Sequence, residues 1–465
     1  MEKSKISYRE KIHFIGIGGI GMSGLAEVMK DMGFNVQGSD VANNKNVERC
    51  RKNGIKVFIK HNKKNIKNSS IIVRSSAISK KNPEIKFAKK RKIKILKRAE
   101  MLAHVVALKK NIVVTGSHGK TTTTSLISRI LYDAKLDPTI INGGVINSIK
   151  SSARLGRGDW AVLEADESDG SFLNFPVNFS VVTNIDKEHI DFYKNFKNLQ
   201  KSFIKFIEKT PPTGKSIICL DSKNIKKIFS KIKNKNILTY GENKNSDFKI
   251  SNIRYKIGYS VFDLNYRDIK KRNNKIRNIQ LKLLGKHNVL NAAAATTLCT
   301  ILGVNKNIIK KSLKRFSGVQ RRMTKIFSKN KNDFYDDYAH HPTEITSILE
   351  GVKNIYKNRK IISIFEPHRY SRVLSLKKEF AKSFKMSDQV LLCPIYAAGE
   401  KKSSKYNLFK FAKLIAKLSK TEVIVIKKYN EIEKYLKKNL INDEIIIGMG
   451  AGSISKYMRE LKTSL

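Results

Sequence analysis

The sequence predicts an α/β protein with three domains: a Rossmann-like N-terminal domain, a central P-loop-type domain with a mainly parallel sheet, and a C-terminal Rossmann-like domain. Two glycine-rich turns, near residues 16–24 and 116–119, each follow an apolar run and precede a helical pattern. Beyond residue 334, runs of strand length again alternate with helical patterns, as in doubly wound sheets. The 465 residues suit about three domains. We place them at 1–108, 109–318 and 319–465.

The chain is strongly basic, with 93 Lys and Arg against 39 Asp and Glu and a formal net charge of +54. Such an excess can indicate a nucleic acid, an anionic membrane surface or an acidic substrate. The lysines are scattered among Asn and Ile along the whole chain and form no basic stripe. We therefore interpret the charge as mainly compositional and expect no nucleic-acid partner. A basic nucleic-acid-dependent ATPase is the alternative.

The cysteines and the N-terminus indicate the compartment. Cys50, Cys219, Cys299 and Cys393 are far apart and form no CxxC pair, which argues against a zinc site or a disulfide framework. The first residues lack the apolar core of a signal peptide, and no run of about 18 apolar residues occurs. We expect a cytoplasmic protein without a membrane partner, as a monomer or a weak homodimer.

The first glycine turn has the pattern of a dinucleotide-binding motif. Residues 11–17 predict a buried strand, and a helix is predicted at 25–32. Between them, Gly16, Gly18 and Gly21 satisfy GxGxxG in the strand–turn–helix setting that the motif requires. The motif alone is a weak signal, because an NAD oxidoreductase would explain it and leave the second turn unexplained. A ligand with its own pyrophosphate, such as a nucleotide sugar, would explain both turns.

Polar residues follow later strands of this first domain. The second strand ends at Ser39 and Asp40, and an acidic residue at this distance commonly holds a ribose hydroxyl. Ser75 and Ser76 follow a strand at 71–74. They suit a phosphate or ribose contact, although a helix N-cap is an equally good interpretation.

The second glycine turn, VVTGSHGKTTTTS at 113–125, resembles a P-loop. Free N–H groups and the helix dipole would face a bound phosphate there. Lys120 would reach the outer phosphates, and the Thr121 hydroxyl would meet Mg²⁺. The match is partial, since Val114 stands where Gly or Ala is usual. The stretch therefore predicts a central P-loop-type ATPase domain.

Acidic residues and one histidine follow two further strands of the central domain. The strand at 160–163 runs into EADESD, in which we favour Glu164 as a Mg²⁺ ligand. We interpret the other acids mainly as caps of the next segment. His189 lies beside Asp191 after a strand at 180–185 and is a candidate second metal ligand or phosphate contact.

The remaining chain supplies polar groups at a helix start and at the last strand ends. Residues 241–280 predict short antiparallel strands. Asn288 and Asn291 open an Ala-rich helix, where they could cap it or reach an adenine edge. In the last domain, Arg369 and Arg372 suit bidentate binding of a carboxylate. The last-domain strands are predicted at 334–336, 361–365, 389–393, 422–426 and 444–449.

Together, eight ordered motifs resemble the Mur ligases of peptidoglycan synthesis. They are HFIGIGGIGMSGLA (13–26), TGSHGKTTT (115–123), EADESDGSF (164–172), TNIDKEHID (183–191), GKHNVLNA (285–292), DDYAHHPTE (336–344), EPHRYSR (366–372) and YAAGE (396–400). The resemblance covers nearly the whole chain. The first motif resembles that of the Mur ligases that add L-alanine. It distinguishes this branch from the Mur ligases that add later residues.

The resemblance implies an ATP-driven amide bond with ATP and Mg²⁺ as cofactors. ATP would phosphorylate the lactyl carboxylate of UDP-N-acetylmuramate, and the amine of L-alanine would attack the acyl phosphate. A murein-peptide recycling ligase, which joins a tripeptide to the same sugar nucleotide, is the nearest alternative. Other Mur ligases use a carbamylated lysine near a second metal, and none is assigned in this sequence.

The resemblance also implies roles for individual residues. The ATP site would comprise Gly116, Ser117, His118, Gly119, Lys120, Thr121, Thr122, Asn288 and Asn291. The UDP-sugar site would comprise Gly16, Gly18, Gly19, Gly21, Ser39, Asp40, Ser75 and Ser76. L-alanine would contact Tyr338, His341, His368, Arg369 and Arg372. Thr121, Glu164 and His189 would bind metal, and Lys120, Glu164, His189 and Arg322 would be catalytic.

Overall fold

A computed structural model describes residues 10–75, 77–107, 109–268 and 270–465. Within these residues the strands form three sheets, of five, ten and six strands. Helices connect most of the strands, so the α/β fold class predicted from the sequence is confirmed. None of the described helices is both long enough and apolar enough to cross a lipid bilayer.

The first sheet is parallel throughout and has the order β3-β2-β1-β4-β5. Its strands are β1 (Lys11–Ile15), β2 (Asn35–Asp40), β3 (Lys56–Ile59), β4 (Ile71–Arg74) and β5 (Lys94–Lys97). Its helices are α1 (Ile20–Asp31), α2 (Lys45–Lys52), α3 (Pro83–Lys90) and α4 (Arg98–Val106). The chain reverses direction across the sheet between β1 and β4, which leaves a crevice at the carboxyl end of β1.

The second sheet has the order β15-β14-β13-β12-β11-β10-β6-β9-β7-β8. Its strands are β6 (Lys110–Thr115), β7 (Thr139–Ile146), β8 (Ser151–Arg154), β9 (Trp160–Glu164), β10 (Phe179–Val182), β11 (Ser216–Cys219), β12 (Ile237–Gly241), β13 (Phe248–Lys256), β14 (Tyr259–Arg267) and β15 (Asn273–Leu281). The helices of this segment are α5 (Lys120–Asp133), α6 (Ile190–Tyr193), α7 (Phe196–Glu208), α8 (Lys223–Ile228), α9 (Lys286–Ile301) and α10 (Lys306–Arg315). Strand β6 pairs in parallel with both β9 and β10, so the carboxyl ends of these three strands meet at one edge.

The third sheet has the order β16-β17-β21-β18-β19-β20 and is parallel except for β16. Its strands are β16 (Thr324–Lys329), β17 (Asn332–Asp337), β18 (Ile361–Phe365), β19 (Gln389–Leu392), β20 (Glu422–Val425) and β21 (Ile445–Met449). Its helices are α11 (Pro342–Ile355), α12 (Tyr370–Ser375), α13 (Lys377–Lys382), α14 (Leu408–Ser419), α15 (Asn430–Asn439) and α16 (Ile454–Ser464). Apolar clusters bury both faces of this sheet, as its continuous apolar strands require.

The described residues group into two compact units. One consists of the chain up to Asn252 together with Phe262–Gln280 and Leu290–Ser317. The other consists of Ile253–Val261, Leu281–Val289 and Gly318–Leu465. The first and second glycine turns therefore belong to the same unit.

Helix α1 begins earlier than the sequence pattern suggested. It starts at Ile20, five residues before the predicted start at residue 25, and so it contains Gly21 and Gly24. A Cβ atom on Gly24 would lie 2.9 Å from the Cβ of Ala153 in β8. This glycine therefore allows close packing of the helix on a neighbouring strand and is not part of the turn.

Candidate active site

The turn after β6 has a shape that only glycine allows at two positions. Gly116 has φ 136° and Gly119 has φ 81°. A Cβ atom on Gly116 would lie 2.1 Å from Thr183 Oγ1. Helix α5 begins directly afterwards at Lys120, and Thr122 is buried in its first turn. The predicted strand, glycine turn and helix N-terminus are therefore present.

The segment that follows β10 holds this turn in place. The Asn184 side-chain oxygen accepts a hydrogen bond from the His118 N–H at 2.8 Å. The Thr183 hydroxyl donates to the His118 carbonyl at 2.6 Å, and the Asp186 N–H donates to the Ser117 hydroxyl at 2.8 Å. Sequence reasoning did not assign Asn184 or Asp186, although their place after a buried strand beside the turn is the signal that could have found them.

Lys120 is held inside the turn by a carboxylate. Its Nζ donates to Glu167 Oε2 at 2.7 Å, to the Gly116 carbonyl at 2.7 Å and to the Ser117 carbonyl at 3.3 Å. Burial alone would lower the pKa of Lys120, but the charges of Glu167 and Asp166 raise it above its ordinary value. The ammonium group is therefore charged across the physiological pH range.

Two of the predicted metal ligands lie together at the end of β9. The Thr121 hydroxyl donates to Glu164 Oε1 at 3.1 Å. The other Glu164 oxygen accepts the Gly143 N–H at 2.7 Å, and a Cβ atom on Gly143 would lie 2.4 Å from Glu164 Oε1. A hydroxyl and a carboxylate in contact at the start of α5 are the oxygen donors that Mg²⁺ prefers.

His189 belongs to a second cluster of ligand atoms. One ligand atom from each of Asp166, Glu167 and His189 lies within 4.8 Å of the others, a group that could hold a metal ion. Burial alone would lower the pKa of His189, but Glu167 and Glu188 raise it above its ordinary value. His189 also has φ 54° and stands directly before α6.

Glu167 is the main residue that sequence reasoning missed. It is fully buried, and within the described chain its Oε1 has no hydrogen bond of normal geometry and lies 3.5 Å from His189 Nε2. The acids after Glu164 were expected to cap the next segment. Asp166 does accept the Ser168 N–H and Asp169 the Ser171 N–H, both at 3.0 Å, whereas Glu167 pairs with Lys120. The Asp191 side chain, expected beside His189, lies outside the described atoms.

Side chains from the next strand and helix of the first sheet hold the first glycine turn by hydrogen bonds to its backbone. Gly16 has φ 81°, and the Gly18 N–H donates to Asp40 Oδ2 at 2.8 Å. The side-chain amides of Asn44 and Asn46 donate to the Gly18 carbonyl at 3.2 and 2.8 Å. Asp40 is thus located where the sequence placed it, at the turn, with its carboxylate on a backbone N–H.

The other residues predicted for the UDP-sugar site do not all lie at this turn. The Ser39 side chain is fully buried and donates to Glu84 Oε2 at 2.6 Å, so the structure does not bring its hydroxyl to the turn. The Ser75 hydroxyl accepts the Ala77 N–H at 3.3 Å, and Ser76 lies outside the described residues. Gly19 stands just before α1.

Arg98, which sequence reasoning also missed, lies against this turn. A Cβ atom on Gly21 would lie 3.1 Å from Arg98 Nη1. The guanidinium group is therefore a candidate partner for an anion that binds at the turn. Its position at the start of α4, directly after β5, is the signal that could have indicated it.

Aromatic and basic side chains meet at the carboxyl edge of the third sheet. The Tyr338 and His340 rings are 5.1 Å apart, His340 and His368 are 5.7 Å apart, and His368 stacks on Tyr396 at 5.6 Å. Arg372 Nη1 lies 3.1 Å from His368 Nδ1. Since a guanidinium can only donate, Nδ1 is the acceptor and Nε2 carries the proton.

The charge state of His368 follows from these neighbours. Burial, and then the positive charges of His340 and Arg372, lower the pKa of His368 to about 3. The imidazole is therefore neutral at physiological pH and presents one N–H donor. Three predicted alanine-site residues, Tyr338, His368 and Arg372, thus share one cluster.

Arg322, predicted as catalytic, shares the Tyr338 ring with this cluster, whereas Arg369 and His341 have contacts of their own. The Arg322 guanidinium lies 5.4 Å from the centre of the Tyr338 ring, with Nη1 3.7 Å from Glu344. Arg369 has φ 68° and directly precedes α12. The side chain of His341 accepts the Thr343 N–H at 3.3 Å and caps α11.

The two asparagines of α9 also have defined contacts. The Asn288 amide donates to the Leu284 carbonyl at 2.8 Å, a bond that differs from an N-cap, in which the side chain accepts from a helical N–H. Asn291 lies beside the second glycine turn, because a Cβ atom on Gly119 would be 2.4 Å from Asn291 Oδ1. The structure thus brings Asn291 to the P-loop-like turn.

Comparisons with known proteins agree with this arrangement. Models described as "Mur ligase family, catalytic domain", "Mur ligase middle domain" and "Mur ligase, glutamate ligase domain" match residues 11–110, 114–299 and 321–452. A UDP-N-acetylmuramate–L-alanine ligase of Pelagibacter ubique is 55% identical over 459 residues, which cover 99% of each chain.

Solved structures extend the similarity to the fold. The UDP-N-acetylmuramate-alanine ligase MurC of Thermotoga maritima is 27% identical with a TM-score of 0.82, over 98% of this chain and 99% of that one. A murein peptide ligase of Psychrobacter arcticus 273-4 is 22% identical with a TM-score of 0.71, over 98% of both chains, and this likeness concerns the fold alone. The chain belongs to the Mur ligase family.

Proposed function

We propose that this chain joins L-alanine to the lactyl carboxylate of UDP-N-acetylmuramate in a reaction driven by ATP. The products are UDP-N-acetylmuramoyl-L-alanine, ADP and phosphate, for peptidoglycan synthesis. The observation that carries this function is the 55% identity over 459 residues to a ligase of that name. The chain is thus an ATP-dependent acid–amino-acid ligase.

The reaction has two steps. A lactyl carboxylate oxygen attacks the γ-phosphorus of ATP, the bond between that phosphorus and the β,γ-bridging oxygen breaks, and ADP leaves. The L-alanine nitrogen then attacks the acyl carbon, loses a proton, and phosphate leaves as the amide forms. Phosphoryl transfer of this kind depends mainly on positioning and on neutralisation of charge.

The second glycine turn supplies much of that neutralisation. Lys120 is charged and stands at the N-terminus of α5, where N–H groups and the helix dipole favour a phosphate. Its present partners are Glu167 and two turn carbonyls. Phosphate oxygens would therefore compete with these groups for the ammonium. The turn residues Gly116, Ser117, His118, Gly119, Thr121 and Thr122 would line the triphosphate, with Asn288 and Asn291 toward the adenine.

Mg²⁺ fits the donors that lie around the turn. Thr121 with Glu164 forms one oxygen pair at 3.1 Å, and His189 with Asp166 and Glu167 forms a second ligand group within 4.8 Å. The buried Glu167 Oε1 supports the second group, because it makes no hydrogen bond of normal geometry in the described chain and lies 3.5 Å from His189 Nε2, another ligand atom of the group. When bound, Mg²⁺ would offset phosphate charge and orient the oxygens of the reacting groups.

The third sheet would hold the amino acid. Tyr338, His368, Arg369 and Arg372 would surround L-alanine, with the neutral His368 as an Nε2–H donor to its carboxylate. Arg322 would approach the phosphates. His341, which caps α11, would act on this site through the position of that helix.

Each of the three predicted domains would bind a different substrate. Residues 1–108 would bind the UDP-sugar through Gly16, Gly18, Gly19, Gly21 and Asp40, with Arg98 as a further phosphate contact. Residues 109–318 would bind ATP, and residues 319–465 would bind L-alanine. We expect a monomer or weak homodimer that requires neither nucleic acid nor a membrane.

A phosphate-release assay tests the function. Purified protein is given ATP, Mg²⁺ and UDP-N-acetylmuramate with either L-alanine or the tripeptide of the recycling reaction, and a third arm replaces the sugar nucleotide by DNA or RNA. We expect turnover that needs the sugar nucleotide and L-alanine together. Preference for the tripeptide would refute the alanine assignment, and turnover stimulated by nucleic acid would favour the ATPase alternative.

A further inference from the structure

A short turn after β21, formed by Gly450, Ala451, Gly452 and Ser453, lies beside the proposed amino-acid site. The Glu366 N–H donates to the Met449 carbonyl at 2.9 Å, which keeps the end of β18 next to the start of the turn. Helix α16 follows the turn.

The Glu366 side chain holds the turn by hydrogen bonds. Its carboxylate is fully buried, and its Oε2 accepts the Ser453 N–H at 3.2 Å and the Ser453 hydroxyl at 2.6 Å. The same oxygen accepts the Tyr429 hydroxyl. Both donors of Ser453, the residue before α16, are therefore used by an internal carboxylate.

The turn packs so closely on Glu366 that its glycines are required. A Cβ atom on Gly450 would lie 2.9 Å from the Glu366 carbonyl oxygen. A Cβ atom on Gly452 would lie 2.4 Å from Glu366 Oε1 and 2.5 Å from Cγ of Tyr396. Within the described chain, Glu366 Oε1 has no hydrogen-bond partner. The turn thus covers the carboxylate and touches the ring on which His368 stacks.

The turn also connects Glu366 to the tyrosine of the proposed alanine site. Arg321 Nη2 donates to the Gly450 carbonyl at 2.7 Å. The Arg321 guanidinium lies 4.6 Å from the centre of the Tyr338 ring, and the Tyr338 N–H donates to the Arg321 carbonyl at 2.8 Å. A shift of the turn would therefore move the cation that holds the Tyr338 ring.

A second connection runs along the chain from Glu366 to His368. The Pro367 carbonyl accepts the Tyr396 N–H at 2.8 Å, and the Tyr396 carbonyl accepts the Arg369 N–H at 2.9 Å. His368 is stacked on Tyr396 in the middle of this pair. Tyr338 and His368, which both contact the His340 ring, are thus each connected to the 450–453 turn that Glu366 holds, Tyr338 through Arg321 and His368 through Tyr396.

We propose that Glu366 is a positioning residue for the amine substrate. Glu366 holds the 450–453 turn in place, and as a result Arg321 fixes the Tyr338 ring and Tyr396 fixes the His368 ring. This inference rests on the proposed function, in which Tyr338 and His368 bind L-alanine. Glu366 acts through these neighbours, because its carboxylate is buried beneath the turn and does not reach the substrate.

The test compares Glu366→Ala with Glu366→Gln, which keeps one oxygen for Ser453 and Tyr429. For Glu366→Ala we expect the KM for L-alanine to rise about tenfold, with the KM values for ATP and UDP-N-acetylmuramate within about twofold of wild type. Glu366→Gln should restore the KM for L-alanine to within about threefold. Glu444→Ala is the matched control, since Glu444 is also buried but stands just before β21, at its other end.

The outcomes separate this inference from the proposed function. Wild-type protein without alanine-dependent turnover would refute the proposed function, and the same KM comparison would then be made with the amine that the wild type accepts. A parallel rise of all three KM values, or an unchanged amine KM in a folded Glu366→Ala, would overturn the positioning role. If Glu366→Ala does not fold, Ser453→Ala replaces it, with an expected rise of about threefold and no change as the contradicting result.

Discussion

The two glycine turns of the first unit have the same local design and different surroundings. Each follows a buried parallel strand, contains a glycine with positive φ and leads into a helix. The first is closed by Asp40, Asn44 and Asn46, which bind the backbone of Gly18. The second is closed by a charged side chain, Lys120, which is paired with a buried carboxylate.

The difference teaches that the neighbouring strands decide what a glycine turn can do. The first turn receives its hydrogen-bond partners from the segment of β2 and α2, which follows α1 in the chain, and most of these partners are neutral amides. The second receives acids that follow β9 and a histidine that follows β10, on the two sides of β6. The first turn therefore offers backbone groups and the Arg98 guanidinium to an anionic ligand, and the second suits chemistry on a phosphate.

The sharpest test of this contrast is Lys120→Ala. Removal of the ammonium deprives the transferred phosphate of its positive partner, so turnover should fall about a thousandfold. Binding of UDP-N-acetylmuramate should stay within about twofold of wild type. Phosphate release and isothermal titration calorimetry measure the two effects, and loss of both together would contradict the separation of the turns.

Glu167→Gln tests the acid that pairs with Lys120. The substitution keeps the shape but removes the charge that faces Lys120 and His189, so we expect turnover to fall about a hundredfold. The Mg²⁺ concentration for half-maximal turnover should rise about tenfold. Asp169→Asn is the control, because Asp169 accepts only a backbone N–H among the contacts described here; an equal loss in both variants would argue against a special role for Glu167.

Asp40→Ala tests the first turn in the same way. The loss of its hydrogen bond to Gly18 loosens the turn, and we expect the Kd for UDP-N-acetylmuramate to rise about tenfold. The Kd for ATP should be unchanged, because ATP is assigned to the second turn. Calorimetric titration with each ligand measures the two Kd values. A matching change in ATP affinity would show that the two turns are not independent.

The smallest expected effect is on the free energy of unfolding and comes from Glu84, the buried acid that binds the Ser39 hydroxyl. Burial alone would raise the pKa of Glu84, but hydrogen bonding and the charge of His13, together with Ser39 and Asn65, lower it below its ordinary value. Its ionised form therefore stabilises the fold above the unfolded-state pKa, and this contribution is lost as pH falls through the lower folded-state pKa. Glu84→Gln should cost about 1 kcal/mol, or about 2 to 4 °C in Tm, at pH 7.

The pH dependence of that difference is the informative measurement. Thermal unfolding of wild type and Glu84→Gln should converge as the pH falls below about 4.5, where the carboxyl is protonated in the unfolded chain. A difference that stays unchanged well below about pH 4.5 would show that packing, and not charge, explains the effect.

The sequence by itself determined the order of strands and helices and the positions at which polar residues follow them. The glycine turns, Lys120, Thr121 and Glu164 were recognisable because the pattern that encodes a strand, a turn and a helix start is local. Residue-level alternatives, such as a cap or a ligand role for Ser75, were not decided by that pattern.

The tertiary structure alone decided which of these groups meet. Strands β10, β6 and β9 are neighbours although they are distant in sequence, and this order brings Glu167 and His189 to Lys120. It also buries the Ser39 hydroxyl against Glu84 and places Arg98 at the first turn. The physical reason is that backbone conformation follows from neighbouring residues, whereas the partner of a buried charge depends on which strands lie side by side.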